Sequence, residues 1–387
     1  MSIEIRVLEE KSIGRYFQAT ALGYILDMLP GDLRGKILEG FREGLISLNS
    51  SEVSQILNNL ASSLRVICNV KKAAPTLYKA GKAPDSKLLS TITPSTPLAG
   101  NTLNCDWLIK VAPIIQQIPN ALVDMPMFLR AYVFSKYRDI GEVRGEKINA
   151  ISLYIANAGT LISIIASNIQ RGESKYELYI VPDTSLESLL SSHRMYTIFH
   201  VAGIGSLENY IRSLLKIESL SFELSILLSI ALYVYNAITQ VAGMPPLTGL
   251  YNIFEKFRVI SIIPQDRPLV VWERPLTLTH MFEELEKHKS TDLLQKLYWC
   301  ANRASKYSTE VTRADDIVSQ CVTALFAYIE TRSLDMLFSC GASALRIADQ
   351  FNYLCREGTR KGRKDARELC MAEKDFADLS RDLAKLL

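Results

Sequence analysis

From Ser290 to Leu387 the chain contains no proline, and its apolar residues return at helical spacing. Two apolar series show this spacing: Val318, Val322, Leu325 and Ile329, followed by Leu369, Phe376, Leu379 and Leu383. Steps of three, four and seven residues place side chains on one face of a helix. The sequence therefore predicts a C-terminal helical bundle, which we assign to residues 276–387.

One stretch of this bundle, Arg356–Arg367, lacks the apolar repeat. It contains two glycines, six basic residues and two acidic residues, so its net charge is +4. A stretch without helical periodicity between two periodic segments is typical of a connection between helices. We therefore predict that Arg356–Arg367 is a cationic connector.

Residues 1–275 combine strand and helix signals. The strand patterns are Met1–Leu8, Tyr176–Val181, Phe257–Ile263 and Leu269–Trp272, and the helical patterns are Ile13–Leu29, Leu33–Leu45, Ser51–Val66, Met195–Leu215 and Ser221–Gln240. Ile148–Ile169 is strongly apolar and is compatible with either a helix or a buried strand. The predicted fold class is α+β, mainly helical, with a mixed domain over 1–275 followed by the bundle.

The longest apolar run, Phe222–Ala242, is long enough to span a membrane. It contains Glu223, Asn236 and Gln240, which are costly inside a bilayer, so we expect a buried core helix instead. Met1–Leu8 alternates like a strand and does not resemble a signal peptide. We expect a soluble, cytoplasmic protein.

The seven cysteines form no CxxC pair and no metal-type cluster. Cys321, Cys340, Cys355 and Cys370 fall within helical pattern, where a free thiol packs as a small hydrophobic group. The odd number and the spacing favour reduced thiols inside a cell.

Basic residues are concentrated in three stretches, although the whole chain carries a net charge of only +3. Lys71–Lys87 is net +4, Phe128–Lys147 is net +2 and Arg356–Arg367 is net +4, which leaves the rest of the chain at −7. Basic segments on an acidic body suit a polyanionic partner.

Lys71–Lys87 belongs to a longer segment, residues 71–101, that contains four prolines. We predict a long surface loop there, and loops of this length within compact proteins are often functional. Both ordering by a ligand and a passive tether stay open for this segment.

In Phe128–Lys147, aromatic and basic residues alternate. Tyr132, Phe134 and Tyr137 stand among basic residues, and two glycines bracket Arg144. Aromatic rings can stack on bases while Arg and Lys neutralise phosphates. The alternative is an amphipathic helix or strand with a solvated charged face.

The sequence contains no GxxxxGK[ST], GxGxxG or GxSxG motif in the context that such sites need. His280, Glu284 and His288 are four residues apart and could hold a metal on one helix face, although an exposed, charged helix start is the commoner explanation. Thr312 and Asp315 suggest a capping box. We expect no cofactor and no enzymatic activity.

Together these features resemble the large subunit of archaeal subtype I-A CRISPR interference complexes, which are RNA-guided effectors of the Cascade type. The resemblance is carried by the overall layout, the strand and turn Tyr176–Asp183, the segment Leu269–Pro275 and the terminal bundle. It covers nearly the whole chain.

The resemblance implies a non-catalytic subunit that contacts guide RNA and target DNA, reads a protospacer-adjacent motif, helps to open the duplex and binds the displaced strand. It also implies backbone and small-subunit partners and a separate nuclease-helicase. Because base pairing reads the target, such a protein needs only a basic channel and a few motif-reading side chains.

The leading prediction is therefore a nucleic-acid-binding subunit, with interface residues chosen by charge and aromatic placement. They are Lys71, Lys72, Lys79, Lys82, Arg130, Lys136, Arg138, Arg144, Lys147, Arg356, Arg360, Lys361, Arg363, Lys364 and Arg367. Two alternatives stay open: a protein-only scaffold, and a metal-dependent helical enzyme that uses the two histidines and the glutamate named above.

Overall fold

The protein is represented by a computed structural model that describes residues 2–9, 12–70, 105–117, 121–124, 147–201, 204–242, 254–263, 269–290 and 292–387. The loop predicted over 71–101 lies outside these residues. The chain divides into two compact units, one formed by Met1–Gly205 with Ile253–Leu276 and the other by Ser206–Asn252 with Thr277–Leu387. The sequence suggested a single boundary between 275 and 276, whereas the structure groups residues 206–252 with the C-terminal helices.

The first unit mixes helices and strands, as the sequence predicts. Its described elements are β1 (Ile3–Arg6), α1 (Ile13–Ile25), a 3-10 turn (Leu26–Met28), α2 (Gly31–Glu43), β2 (Leu45–Leu48), α3 (Ser50–Val70), α4 (Cys105–Gln117), β3 (Leu122–Asp124), β4 (Lys147–Asn149), α5 (Ala150–Ser163), β5 (Ile164–Arg171), β6 (Ser174–Pro182), α6 (Leu186–Val201), β7 (Phe257–Ile263) and β8 (Leu269–Pro275).

The main sheet of this unit is antiparallel, with strand order β5-β6-β7-β8. Two shorter antiparallel pairs join β1 to β2 and β3 to β4. The strands predicted at Tyr176–Val181, Phe257–Ile263 and Leu269–Trp272 are confirmed as parts of β6, β7 and β8. The ambiguous run Ile148–Ile169 contains both structures, because α5 ends at Ser163 and β5 begins at the next residue.

Helices α1 and α5 form the centre of the first unit, and every residue of both is buried. The Ser12 hydroxyl caps α1 by accepting a hydrogen bond from the Arg15 amide at 3.2 Å. The buried Gln18 side chain accepts from the Leu8 amide at 2.8 Å and donates to the Arg6 carbonyl at 3.1 Å. These bonds satisfy buried polar groups and fix the end of β1 to α1.

All the described secondary-structure elements of the second unit are helices. Its elements are α7 (Ile204–Leu214), α8 (Phe222–Ala242), α9 (Thr279–Lys287), α10 (Leu293–Lys306), α11 (Ala314–Thr331), α12 (Asp335–Arg360) and α13 (Ala366–Lys385). No helix in the part of the chain that the structure describes is long and apolar enough to cross a bilayer. The fold class predicted from the sequence, α+β and mainly helical with a C-terminal bundle, is confirmed.

The start of α11 differs from the prediction. The expected capping box of Thr312 and Asp315 does not form, because Arg313 precedes the helix with a left-handed φ of 70° and provides no side-chain cap. Asp315 and Asp316 lie in the first turn instead, where negative charge favours the helix N-terminus electrostatically.

Two disulfides join consecutive helices of the second unit. Cys321–Cys340 links α11 to α12, and Cys355–Cys370 links α12 to α13. The expectation of reduced thiols is therefore wrong for these four residues, and also for Cys68, which is disulfide-bonded. Helical periodicity cannot reveal this pairing, because a buried cysteine occupies the same positions whether or not a facing helix presents a second one. Cys300 is a buried free thiol.

Buried carboxylates tie the helices of the second unit together. Glu284 accepts a hydrogen bond from the Tyr328 hydroxyl at 3.0 Å and pairs with Arg332 at 2.9 Å. Burial raises the pKa of Glu284, but the Tyr328 hydrogen bond and the Arg332 charge outweigh it, so the pKa lies below its ordinary value. The pKa of Asp382 is also lowered, because its pairing with Lys296 and Lys385 outweighs the effect of burial.

We expect the second unit to lose thermal stability on acidification from about pH 6 to about pH 3. A carboxyl whose pKa is lowered by folding stabilises the folded state above its unfolded pKa, and that contribution is lost as the pH falls through the folded pKa. Asp375, whose pKa is raised by burial, opposes the trend in part. Circular dichroism melts at each pH measure the change.

The matched variant for this experiment is Glu284→Gln. It should melt at a lower temperature than the parent near pH 6, and its melting temperature should fall less on acidification. An equal fall in the variant and the parent would show that Glu284 does not contribute to the pH dependence.

Candidate nucleic-acid interface

Most of the basic residues predicted at the interface fall outside the described residues. These are Lys71, Lys72, Lys79 and Lys82 in the first stretch, and Arg130, Lys136, Arg138 and Arg144 in the second. Lys147 begins β4, but its side chain is also outside the description. The third stretch, Arg356–Arg367, is described completely, and we call it the α12–α13 tip.

The tip is more helical than the sequence predicts. Helix α12 continues to Arg360, and α13 begins at Ala366, so only 361–365 connect them. The Gly362 amide donates to the Thr359 carbonyl at 3.3 Å, and the Arg363 amide donates to the Gly358 carbonyl at 2.9 Å. With Gly362 at a φ of 66°, this is a Schellman ending, in which glycine accommodates the left-handed backbone.

Three of the six basic side chains of the tip are engaged in ion pairs. Arg363 donates to both Glu310 oxygens at 2.9 and 3.2 Å and to Asp365 at 2.8 and 2.9 Å. Hydrogen bonds from Glu310 and then Asp365 raise the pKa of Arg363. Arg360 and Lys361 share Glu357, each at 2.8 Å. These contacts hold the turn in one conformation and neutralise part of its charge.

The other three basic side chains, Arg356, Lys364 and Arg367, are exposed and make no ion pair within the described part of the chain. They lie in the last turns of α12, in the connection and in the first turn of α13. A phosphate or another anion can therefore approach them without first breaking an intramolecular ion pair. Exposed, unpaired charges of this kind supply affinity for a polyanion.

Ion pairs on the other side of α13 anchor the tip to α10. Glu368 pairs with Lys306 and accepts a hydrogen bond from the Tyr307 hydroxyl at 3.2 Å. Further along α13, Asp375 pairs with Arg303 at 3.3 Å. Glu368 and Asp375 therefore face α10, and neither pairs with Arg367.

The metal site considered from the sequence does not form among the described residues. His280 lies 3.4 Å from Glu283, and His288 Nδ1 lies 2.9 Å from the Lys385 carbonyl. Glu284 is occupied by Tyr328 and Arg332, as described above. The described residues contain no group of three potential metal ligands.

The sequence interpretation missed one exposed surface of α12. Phe338 and Tyr353 are each 67% exposed, and Leu345 is 51% exposed. Their spacing is out of step with the buried series of α12, which includes Leu337, Ala344 and Phe351. That difference in phase is visible in the sequence, but only the packing of α12 shows which of the two series is covered.

Comparison with known proteins gives no further identification. The chain matches no protein-family model, no curated protein and no solved structure. The charges and geometry of the described residues are therefore what bears on the function of this chain.

Proposed function

We propose that this protein is a non-catalytic nucleic-acid-binding subunit of an RNA-guided complex and that the α12–α13 tip contacts the phosphate backbone. The observation that carries the proposal is the set of three exposed basic side chains at the tip that make no ion pair within the described part of the chain: Arg356, Lys364 and Arg367. Phosphate contacts of this kind supply affinity and position a protein without reading sequence.

The finer part of the proposal follows from the resemblance. It places guide RNA, target DNA, backbone and small subunits and a nuclease-helicase around this chain, in the cytoplasm. The two segments that carry the resemblance, Tyr176–Asp183 and Leu269–Pro275, contribute β6 and β8, which both pair with β7. Disulfides inside a cell are characteristic of hyperthermophiles, so the cytoplasmic proposal implies such a host.

Neutralising the three unpaired basic residues should weaken nucleic-acid binding and flatten its salt dependence. Each phosphate contact with duplex DNA contributes about −0.9 to the slope of log K against log salt, so the variant R356Q/K364Q/R367Q should lose about 2 to 3 units of slope. Its affinity near 0.1 M salt should fall by about tenfold or more. Fluorescence anisotropy with labelled duplex DNA, single-stranded DNA and RNA measures both quantities.

The charge-matched control is K216Q/K289Q/R381Q, which removes three exposed basic residues of the same unit outside the tip. Lys289 follows His288, which contacts Lys385 near the opposite end of α13. The control should retain most of the slope. Equal slopes in the parent and the tip variant would exclude the tip as the interface, and no binding by the parent at low salt would overturn the proposal.

A protein-only scaffold is the second candidate, and the exposed apolar side chains of α12 favour it. If the control substitutions weaken nucleic-acid binding as much as the tip substitutions do, the binding reflects general attraction by net charge. The scaffold would then be the better supported function.

A further inference from the structure

Helix α12 carries a row of exposed residues on a different side from its buried series. The buried series includes Leu337, Ala344 and Phe351, all fully buried. Steps of three and four residues keep the exposed row on one side of the helix. The row, which we call the α12 face, consists of Asp335, Phe338, Ala342, Leu345, Asp349, Tyr353 and Arg356.

The two aromatic side chains of the α12 face are the most exposed large apolar groups among the described residues. Phe338 and Tyr353 are each 67% exposed, and Leu345 between them is 51% exposed. Single exposed apolar residues are ordinary, whereas several that share one side of a helix mark an interaction site. Covering rings of this size would contribute strongly to association.

The two ends of the α12 face carry charges of opposite sign. Asp335 lies at the beginning of α12, and Arg356 lies about 31 Å further along the helix axis. Neither side chain makes an ion pair within the described part of the chain. A face that is negative at its beginning and positive at its end is complementary to a copy of itself that runs in the opposite direction. A parallel copy would set like charges opposite each other.

The spacing of the α12 face allows one antiparallel register in which unlike groups meet. The two-fold axis of this register lies at the midpoint of the face, directly after Leu345. Phe338 of one copy then lies opposite Tyr353 of the other, and Asp335 lies opposite Arg356. The symmetry repeats each of these pairings at the other end of the interface. An aromatic pair and an ion pair therefore occur at both ends.

The centre of this register is balanced in charge. Arg346 lies beside its own copy across the two-fold axis, and these like charges would oppose association if they were alone. Ala342 of one copy lies opposite Asp349 of the other, and its small side chain leaves room for the carboxylate to reach Arg346 of the facing copy. Two arginines and two aspartates thus surround the axis. Arg346 and Asp349 make no ion pair with each other within one described chain, so both can pair with the other copy.

We infer that the α12 face is a homodimer interface, in which two copies of this chain pair through antiparallel α12 helices. A single pair of helices buries less area than an obligate dimer interface, so the dimer is reversible, with a Kd of about 1–100 μM. This inference goes beyond the nucleic-acid function and does not depend on it. Arg356 takes part in both, because a guanidinium has five N–H donors and can bind a carboxylate and a phosphate together.

Two other occupants fit the α12 face less well. A helix of another protein that is flanked by acidic residues would meet Asp335 and Asp349, which leave this side of α12 without net positive charge. A single nucleic-acid strand would stack on Phe338 and Tyr353, but the same two carboxylates repel its phosphates.

Sedimentation velocity of the full-length protein over about 1–200 μM tests the inference. The weight-average sedimentation coefficient should rise with concentration from the monomer value to the dimer value. F338S/Y353S should raise the Kd of the dimer by about tenfold or more. The matched control is L190S/V271S, which removes two apolar side chains of the first unit, each 45% exposed, and it should associate like the parent. The unfolding midpoints of both variants should match that of the parent, because exposed substitutions rarely affect stability.

A charge exchange tests the antiparallel direction. D335R and R356D each set like charges opposite each other at both ends, so each should weaken the dimer by about tenfold. D335R/R356D restores opposite charges, and its Kd should return close to that of the parent. Any effect of D335R on the first turn of α12 persists in the double variant, so a restored dimer reports the pairing itself.

A cysteine crosslink tests the register. Residue 345 lies beside its own copy at the two-fold axis, so L345C should form a covalent dimer with a short bismaleimide. The control is M336C, because Met336 is 43% exposed on the same helix but lies outside the α12 face. M336C should not crosslink.

Four results would overturn the inference: a monomer at every concentration, equal association of F338S/Y353S and the parent, no recovery in D335R/R356D, or a dimer that L345C does not crosslink. F338S/Y353S should bind single-stranded DNA with the salt slope of the parent, and a loss of this binding would assign the face to nucleic acid instead. K364Q/R367Q leaves the α12 face intact, so it should lower DNA binding without changing association. Each proposal can therefore fail separately.

Discussion

Replacing Gly159 with alanine is expected to destabilise the first unit by about 3 kcal/mol. Gly159 lies in α5 where this helix crosses α1, and a Cβ atom there would lie 1.7 Å from the Phe17 carbonyl oxygen and 2.5 Å from its carbon. Those atoms belong to the backbone of a buried helix and cannot rotate away. The two helices would have to separate, and close packing around them would be lost.

The matched control is Gly35→Ala in α2, where no atom lies within 4 Å of the added Cβ. Alanine favours a helix over glycine by up to about 1 kcal/mol, so this variant should be as stable as the parent or more stable. Hydrogen exchange followed by mass spectrometry reports on each unit separately, and peptides from α1 and α5 should lose protection only in Gly159→Ala. Equal protection in both variants would contradict the close approach of α1 and α5.

The sequence predicts much of this fold because the apolar residues of most segments recur with the period of a helix or a strand. The strands at 176–181 and 257–263 are rich in aromatic and β-branched residues and are bounded by turn residues. The apolar residues of Ile148–Ile169 show no such period, because α5 is buried on every side. A segment that is apolar on all sides does not distinguish a helix from a strand. The crossing at Gly159 is equally hidden, since only the position of α1 makes that glycine necessary.

The sequence locates the basic residues of 356–367 by charge alone, but not the local structure that presents them, because the helix continues further than the sequence predicts. Glu357 pairs with both Arg360 and Lys361 along the helix, and Gly358 is buried with its Cβ position 3.4 Å from Ala366. Helix α12 ends at Arg360, and Gly362 follows it in the left-handed conformation that closes the turn. Arg363 also pairs with Glu310, which lies about fifty residues away in sequence, so sequence spacing could not show this contact.

The second large effect concerns the disulfides, whose reduction is expected to destabilise the second unit by about 3 kcal/mol for each bond. Cys321 and Cys340 are separated by 19 residues, and Cys355 and Cys370 by 15. Closing loops of this size removes conformational entropy from the unfolded chain. Because the two loops do not overlap, their contributions should be close to additive.

Guanidinium denaturation with and without a thiol reductant measures the effect, and hydrogen exchange of α12 peptides assigns it to the second unit. The matched variants are C321S/C340S and C355S/C370S. On reduction, the α12 peptides of each variant should lose about half as much protection from hydrogen exchange as those of the parent. In the combined variant, reduction should not change the protection of α12. Alkylation of the unfolded, unreduced protein should label Cys300 and leave the four paired cysteines unlabelled.

These outcomes decide between two descriptions of α12. If reduction lowers stability as expected, α12 is covalently held on both sides, and the Cys355–Cys370 bond fixes the helix one residue before Arg356. The tip would then be presented on a helix that is already rigid before a partner binds, which lowers the entropic cost of binding. If alkylation labels all four residues and the reductant has no effect, the cysteines are free thiols, as the sequence suggested. Packing of Leu337, Phe351 and Phe376 alone would then hold the helix in place.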